Sequence, residues 1–297
     1  MKSPLLFMVF NRPDTTTKVF EEIRKARPSQ LFIAGDGPRS NRPEEEDLCK
    51  KTREVTENVD WPCKVYRKYE ENNLGCKIGV TKAINWFFDH VERGIILEDD
   101  CIPDPSFFSY CDNLLERYKN TKKVMMISGD NFTGKKEGDA SYFFSRYCHL
   151  WGWATWKRAW KHYDVDMKDY PEFKRRGKIA EIFKNPKMQK HWLNSFDRLY
   201  AKQVDTWDPQ WVYKIYERDG LCITPAVNMI SNVGFGQEAT HTKKDSTYSK
   251  RKIYSLNNII HPSTIKISKK IDKAEEKEIF PTITTRVARK IKRTLFK

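Results

Sequence analysis

The first 130 residues alternate short apolar runs with segments in which apolar residues recur every three or four positions. A strand covered by helices on both faces has no polar side, so a continuous apolar run predicts a buried strand. We expect such strands at residues 5–10, 31–34, 95–97 and 124–127, with another around 65–66.

The segments between these runs have the spacing of amphipathic helices. Asp14 can cap a helix whose apolar side includes Val19 and Ile23, and another helix is expected over residues 77–92. A third should follow Pro105. This alternation predicts an α/β fold, with a mainly parallel sheet flanked by helices.

Polar residues follow three of the predicted strands directly. Arg12 comes after the first strand, Asp36 after the second, and Glu98, Asp99 and Asp100 after the fourth. Ligands of such sheets bind outside the carboxyl ends of the strands, so these side chains are the first candidates for a functional site.

Three consecutive carboxylates after a buried strand repel one another, which raises the pKa of at least one of them. A hard divalent cation prefers oxygen ligands and would relieve this repulsion. If it also bound two phosphates, it would neutralise the charge of a leaving nucleoside diphosphate. The alternative is a solvated turn whose acids cap the helix after Pro105.

The formal net charge of +15 raises the possibility of a nucleic-acid partner, but the charge is concentrated in the last part of the chain. From His241 onward there are 16 Lys or Arg and 5 Asp or Glu, against 39 and 35 before it. A duplex-binding fold spreads basic residues over its folded face, so no nucleic-acid partner is expected.

Seven cysteines without a Cys-x-x-Cys pair favour a reducing, cytoplasmic compartment and argue against a cysteine zinc site. The apolar run at 5–10 is too short for a signal peptide.

Residues 284–297 carry six basic and no acidic side chains, and their apolar residues share one helical face. They predict peripheral contact with an anionic membrane; a solvated tail or a helix packed on a partner is the alternative.

We expect one domain over residues 1–265 and a basic, helical appendage over 266–297.

Residues 95–108 resemble the metal-binding segment of GT-A-fold (Rossmann-like) glycosyltransferases, and are most similar to the N-acetylglucosaminyltransferase I type. Related bacterial sugar transferases share two further segments, at 152–156 and 234–241. The resemblance covers about residues 4–242, and its other matching stretches occur in the same order, at 9–12, 33–36, 152–153 and 207–211.

The resemblance implies an enzyme that uses a UDP-linked sugar and Mn²⁺ or Mg²⁺, with inversion at the anomeric carbon. It assigns the metal to Asp100, the donor ribose or sugar to Asp99, and ordering of the surrounding groups to Glu98. Asp36 would accept a hydrogen bond from uracil, and the planar guanidinium of Arg12 would pair with a phosphate.

The general base is expected from residues 207–211, where a carboxylate would take the proton of the acceptor hydroxyl. Asp208 is the candidate. This chain has one extra residue between Asp208 and Trp211, which leaves Asp205 open as the alternative, and Asp208 as a helix cap is a third interpretation.

Three further residues are weaker candidates. Lys77 could approach the donor, although a solvated lysine at a helix start explains it as well. His241 could be a metal or phosphate ligand on a loop that closes over the donor. Trp153 is the one tryptophan of the 151–160 region expected to face the acceptor; such residues are otherwise core.

Together these features predict transfer of a sugar from a nucleoside diphosphate to a hydroxyl of a glycan or a lipid-linked saccharide. A sugar nucleotidyltransferase is the second hypothesis, but it would need a glycine-rich basic loop after the first strand, where this chain has Asn11, Arg12, Pro13 and Asp14. A nucleic-acid-binding protein that uses basic and aromatic residues is the third.

Overall fold

The computed structural model describes residues 1–234 and 251–280. His241 and residues 284–297 therefore lie outside the described residues, and their predicted roles stay predictions.

Ten strands are found in the described ranges: β1 (Leu5–Val9), β2 (Gln30–Gly35), β3 (Lys64–Tyr69), β4 (Arg93–Glu98), β5 (Cys101–Pro103), β6 (Val124–Ser128), β7 (Tyr142–Ser145), β8 (Trp153–Trp156), β9 (Leu221–Pro225) and β10 (Ile230–Asn232). The helices of the same ranges are α1 (Pro13–Ala26), α2 (Glu44–Val55), α3 (Gly75–His90), α4 (Ser106–Arg117), α5 (Lys157–Trp160), α6 (Tyr170–Arg175), α7 (Ile179–Ile182), α8 (Pro186–Tyr200), α9 (Asp208–Glu217) and α10 (Lys269–Ile279).

Eight strands form one mixed sheet in the order β3-β2-β1-β4-β8-β6-β9-β7. The first four are parallel, β8 runs antiparallel between β4 and β6, and β7 runs antiparallel to β9. Six of the eight strands thus point in one direction, and the predicted mainly parallel α/β fold is confirmed. β5 and β10 pair separately as a short antiparallel ribbon.

Both faces of this sheet are covered. Along β1, Leu5 and Phe7 belong to one buried cluster, while Leu6 and Met8 belong to another. Successive side chains of a strand point to opposite faces, so the two clusters are the cores on the two sides of the sheet. This explains why the strand is apolar throughout. A third, largely aromatic cluster holds α6, α7, α8 and α9 together.

The segment 251–280 packs on this body. Ile267 forms a bridge with Phe144 of β7, and Ser268 caps α10 by accepting a hydrogen bond from the backbone N–H of Ile271. Ile271 is fully buried. The division of the chain at residue 265 stays a prediction. In the described ranges, no helix has the length and apolar character required to cross a membrane.

Candidate active site

A cleft of about 840 Å³ opens at the carboxyl ends of β1, β2 and β4. Its lining includes Arg12, Asp36, the triplet Glu98–Asp100, and Asp205 and Asp208 from the segment that leads into α9. Parallel strands end at the same edge of a sheet, which is why residues far apart in the sequence meet here. The volume is within the usual range of small-molecule sites.

Arg12 lies at the centre of the acidic group. Its guanidinium donates to Asp99 through Nη2 and to Asp100 through Nη1, the latter over 2.8 Å. The backbone N–H of Phe10 donates to the second oxygen of Asp99 over 3.2 Å. Arg12 therefore holds two of the three carboxylates in place, and it remains 24% exposed toward the cleft.

The triplet carries more negative charge than Arg12 offsets. Burial, together with the neighbouring Asp100 and Asp99, raises the pKa of Glu98 to about 8. Burial also raises the pKa of Asp99 to about 6, although Arg12 acts in the opposite direction. The raised pKa values mean that negative charge on Glu98 and Asp99 is unfavourable. A further cation that enters the cleft would therefore stabilise the triplet.

Asp100 is positioned by the β5–β10 ribbon. Its Oδ1 accepts from Nδ2 of Asn232 over 3.4 Å, and its backbone oxygen accepts from the N–H of Val233 over 2.9 Å. Gly234 packs so closely that a Cβ there would collide with the Asp100 carboxylate and with Arg12. Asn232 is a cleft residue that the sequence did not single out, and Gly234, the first residue of the 234–241 segment, was given no role of its own.

Asp36 orders the start of α3. Its carboxylate accepts from the backbone N–H groups of Gly37 and Leu74, each over 2.9 Å, and from Nδ2 of Asn73 over 3.0 Å. Burial raises its pKa, while these backbone donors lower it. Asp36 lines the part of the cleft at the end of β2, which is three strands away from β8 in the sheet.

The two candidate bases differ in their surroundings. Asp205 is exposed, and its Oδ1 accepts from the backbone N–H of Lys77 over 3.3 Å at the start of α3. Asp208 is half-buried in the first turn of α9 and accepts from the hydroxyl of Thr206. Asp208 is also close enough to Glu98 to raise its pKa. Asp205 thus supports a helix start, whereas the charge of Asp208 acts on Glu98 of the acidic triplet.

Two predicted site residues are placed elsewhere. Trp153 lies in β8, is only 1% exposed, and its ring stacks on Trp207 with centroids 5.7 Å apart. Its position in a central strand directs Trp153 into the core, outside the cleft lining, and its acceptor-facing role stays a prediction. Lys77 is absent from the cleft lining, which includes Cys76 and Gly79 on either side of it.

The wall beyond β4 contains residues that sequence reasoning missed or passed over. Trp151, rather than Trp153, reaches the cleft, together with Phe132, His149 and Trp192. Trp151 could have been found, since it belongs to the same tryptophan-rich stretch. His149 carries no spacing signal in the sequence.

Within residues 1–234 and 251–280, no three His, Cys, Asp or Glu side chains are arranged so that they alone could hold a metal ion.

The sequence matches no protein-family description and no curated protein. Among solved structures, the chain is similar to 4-diphosphocytidyl-2C-methyl-D-erythritol synthase from Anaerococcus prevotii (8% identity, 74% of this chain and 87% of that chain, TM-score 0.37). It is also similar to mouse xyloside xylosyltransferase 1 (11%, 74% and 84%, 0.32) and to a UDP-glucose pyrophosphorylase with bound UDP-glucose (10%, 53% and 69%, 0.31). Likenesses this distant leave the function to be argued from the cleft.

Proposed function

We propose that the protein is a metal-dependent, inverting glycosyltransferase that moves a sugar from a nucleoside-diphosphate donor, UDP-linked, to a hydroxyl of a glycan or lipid-linked acceptor. The observation that supports this most is the Arg12–Asp99–Asp100 group, which lies in a cleft large enough for a nucleotide sugar.

The donor spans the strand ends in the order of the sheet. Its base lies at the end of β2 near Asp36, and its diphosphate lies at the ends of β1 and β4 near Arg12 and Asp100. Arg12 turns one or both guanidinium edges from the carboxylates to the phosphates, a geometry that its planar fork suits. Asp99 keeps the backbone hydrogen bond from Phe10 and faces the donor ribose or sugar.

The residues of the triplet fit a divalent cation. Asp100 would hold it, with the remaining ligands from the donor phosphates, and Glu98 would help to order the surrounding groups. Raised pKa values at Glu98 and Asp99 support this, since the acidic group favours added positive charge. When bound, Mn²⁺ or Mg²⁺ supplies Lewis-acid neutralisation of the leaving diphosphate.

Asp208 is the general base in this proposal. Its carboxylate takes the proton from the acceptor hydroxyl as that oxygen forms a bond to the anomeric carbon and the bond to the diphosphate breaks. The hydrogen bond from Thr206 fixes the carboxylate in the first turn of α9. Asp208 is half-buried in the cleft lining whereas Asp205 is exposed to solvent, which supports Asp208 over Asp205.

A thermal-shift panel tests the class directly. The full chain is heated with UDP, CDP, GDP and several UDP-sugars, each with and without Mn²⁺, and the Asp100→Asn variant is the matched control. We expect stabilisation by UDP compounds that requires Mn²⁺ and is lost in Asp100→Asn. Equal responses with and without Mn²⁺ would contradict the proposal, and pyrophosphate release from UTP and a sugar 1-phosphate would favour a nucleotidyltransferase instead.

A further inference from the structure

A histidine–glutamate pair joins the cleft wall beyond β4 to α10. Nε2 of His149 is 3.1 Å from Oε1 of Glu275, which is only 2% exposed and belongs to α10. His149 itself lines the cleft, with 13% of its side chain exposed. The pair therefore connects α10 to the cleft through the imidazole ring of His149.

The loop that carries His149 is fixed to the end of β6. Ser128 donates its hydroxyl to the backbone oxygen of His149 over 2.8 Å, and Asp130 accepts from the backbone N–H of Trp151 over 3.1 Å. A further backbone bond of 2.8 Å joins Gly129 to Gly152. The position of the imidazole is thus set by the strands, and its rotation is set by Glu275.

Glu275 also determines which ring nitrogen carries the proton in the neutral ring. A buried carboxylate accepts, so Nε2 is the donor and Nδ1 keeps a lone pair. In the two described ranges, no other residue forms a hydrogen bond with Nδ1. This nitrogen is available as an acceptor for a hydroxyl group.

The surroundings of the ring suit a saccharide. The ring centroid of Phe132 lies 4.3 Å from that of His149 and 4.9 Å from that of Trp151, and the guanidinium carbon of Arg251 lies 5.3 Å from the same centroid. Aromatic faces of this kind pack against apolar ligand surface, while a few polar groups fix the ligand's orientation.

The order of the sheet assigns this wall to the acceptor. β8, which follows the His149 loop, is three strands from β2, a separation of roughly 14 Å at the usual strand spacing. If the donor base lies near Asp36 and the diphosphate near Asp100, the space beyond β4 is left for the acceptor. This step depends on the proposed function.

We propose that His149 accepts a hydrogen bond from a hydroxyl of the acceptor saccharide through Nδ1, and that Glu275 of α10 is the positioning residue that holds the ring in this state. The C-terminal helix is then part of acceptor recognition. Its attachment to the body is independent of the pair, since Asp272 accepts from the Ser145 hydroxyl and Glu276 accepts from Asn185, each over 2.8 Å.

Glu276 offers a matched control, because it lies on the same helix and makes one hydrogen bond to the body but none to His149. The test measures saturation-transfer binding of methyl glycosides of glucose, galactose, mannose and N-acetylglucosamine to the full chain with saturating UDP and Mn²⁺. We expect at least one glycoside to bind, and its affinity to fall about tenfold in His149→Ala and Glu275→Ala, the size expected for one lost hydrogen bond. Glu276→Ala should bind as the wild type does.

Two readouts separate positioning from a merely structural role. Glu275→Gln keeps an oxygen that can accept from Nε2–H, so it should restore most of the affinity. Long-range ¹H–¹⁵N spectra of histidine-labelled protein should show His149 protonated at Nε2 in the wild type and in Glu276→Ala.

UDP affinity, measured in the same samples, distinguishes the two proposals. If UDP fails to bind the wild type, the proposed function fails first. If UDP binds equally to all variants, then a wild type that binds none of the glycosides overturns the role of His149. An unchanged glycoside affinity in His149→Ala, or a proton on Nδ1, does so as well.

Discussion

At the scale of single residues, the surroundings of Asp208 and Asp205 give them different predicted effects. Asp208→Asn should lower kcat by about 10²- to 10⁴-fold, the usual contribution of a general base, because an amide cannot take the acceptor proton. UDP affinity should be largely kept, since in the proposed reaction Asp208 acts on the acceptor hydroxyl and is not a ligand of the diphosphate. Steady-state kinetics and a UDP titration on the same preparation measure both quantities.

Asp205→Asn is the control for that substitution. Its carboxylate accepts from Lys77 at the start of α3, where a negative charge stabilises the helix by roughly 0.5 kcal/mol. A small loss of stability with most of the activity retained is expected. A larger loss of kcat in Asp205→Asn than in Asp208→Asn would transfer the role of base to Asp205.

Arg12 should contribute to stability as well as to donor binding. Arg12→Met leaves Asp99 and Asp100 without their shared cation, and breaking such a pair lowers the free energy of unfolding by about 2–3 kcal/mol here. The loss is smaller than for a fully buried pair because a quarter of the Arg12 side chain reaches the cleft. Urea unfolding of the protein without ligand measures it.

Arg24 provides the matched surface comparison. It pairs with Asp60 in a bidentate contact, but both side chains are exposed to solvent, where ion pairs contribute little. Arg24→Met should therefore leave the urea midpoint nearly unchanged. Equal destabilisation by the two substitutions would show that the Arg12 group is no more tightly coupled than a surface pair.

At the scale of elements, the sequence predicted those strands and helices whose buried positions are occupied by a clear pattern of apolar residues. β1 and β6 are buried at every position and were predicted as apolar runs. α2 was missed because its sequence is mostly charged and only Glu45, Cys49 and Thr52 are buried. β8 was missed because a tryptophan-rich strand has the same composition as a ligand-binding platform.

The candidate site was predictable to the same extent. Arg12, Asp36 and the acidic triplet follow directly from strand ends, so their residues could be named from order alone. Partners across the chain could not: Asn232 reaches Asp100 from 132 residues away, and Glu275 reaches His149 from 126. Such pairs are set by tertiary packing, which local sequence patterns do not contain.

The turn before β8 is a further element that packing determines. Gly152 has φ +68°, and a Cβ there would lie 2.5 Å from Cδ1 of Ile230. Gly152→Ala should therefore combine the cost of a left-handed backbone, about 1–2 kcal/mol, with a collision costing about 1–3 kcal/mol more. Gly152 precedes β8, and its backbone oxygen accepts a hydrogen bond from Gly129. The substitution should therefore also weaken ligand binding at both Asp100 and His149.

Gly177 separates the two costs. Its φ is +64°, but a Cβ at this position would meet nothing within 4 Å. Gly177→Ala should show the backbone cost alone, so the difference between the two midpoints in urea reports the collision with Ile230. Two equal midpoints would mean that Ile230 moves aside without cost.

At the scale of the whole molecule, the four lysines of α10 lie along one groove, although the helix as a whole carries four basic and four acidic side chains. Lys269, Lys270, Lys273 and Lys277 of α10 line a groove of about 560 Å³ together with Lys135. The six basic residues of 284–297 follow directly in the sequence.

Removal of residues 284–297 should therefore weaken binding to vesicles that contain anionic lipid, because each basic residue near such a surface contributes about 1 kcal/mol. Co-sedimentation of the full chain and of a chain ending at residue 283 measures the effect, with neutral vesicles as the lipid control.

A variant of the full chain with residues 284–297 scrambled keeps the charge but removes the apolar face. If charge alone acts, the scrambled variant binds as the wild type does and the binding disappears in high salt. If an amphipathic helix forms on the membrane, the scrambled variant binds more weakly at every salt concentration. Equal sedimentation of the full and shortened chains would exclude residues 284–297 as the membrane contact.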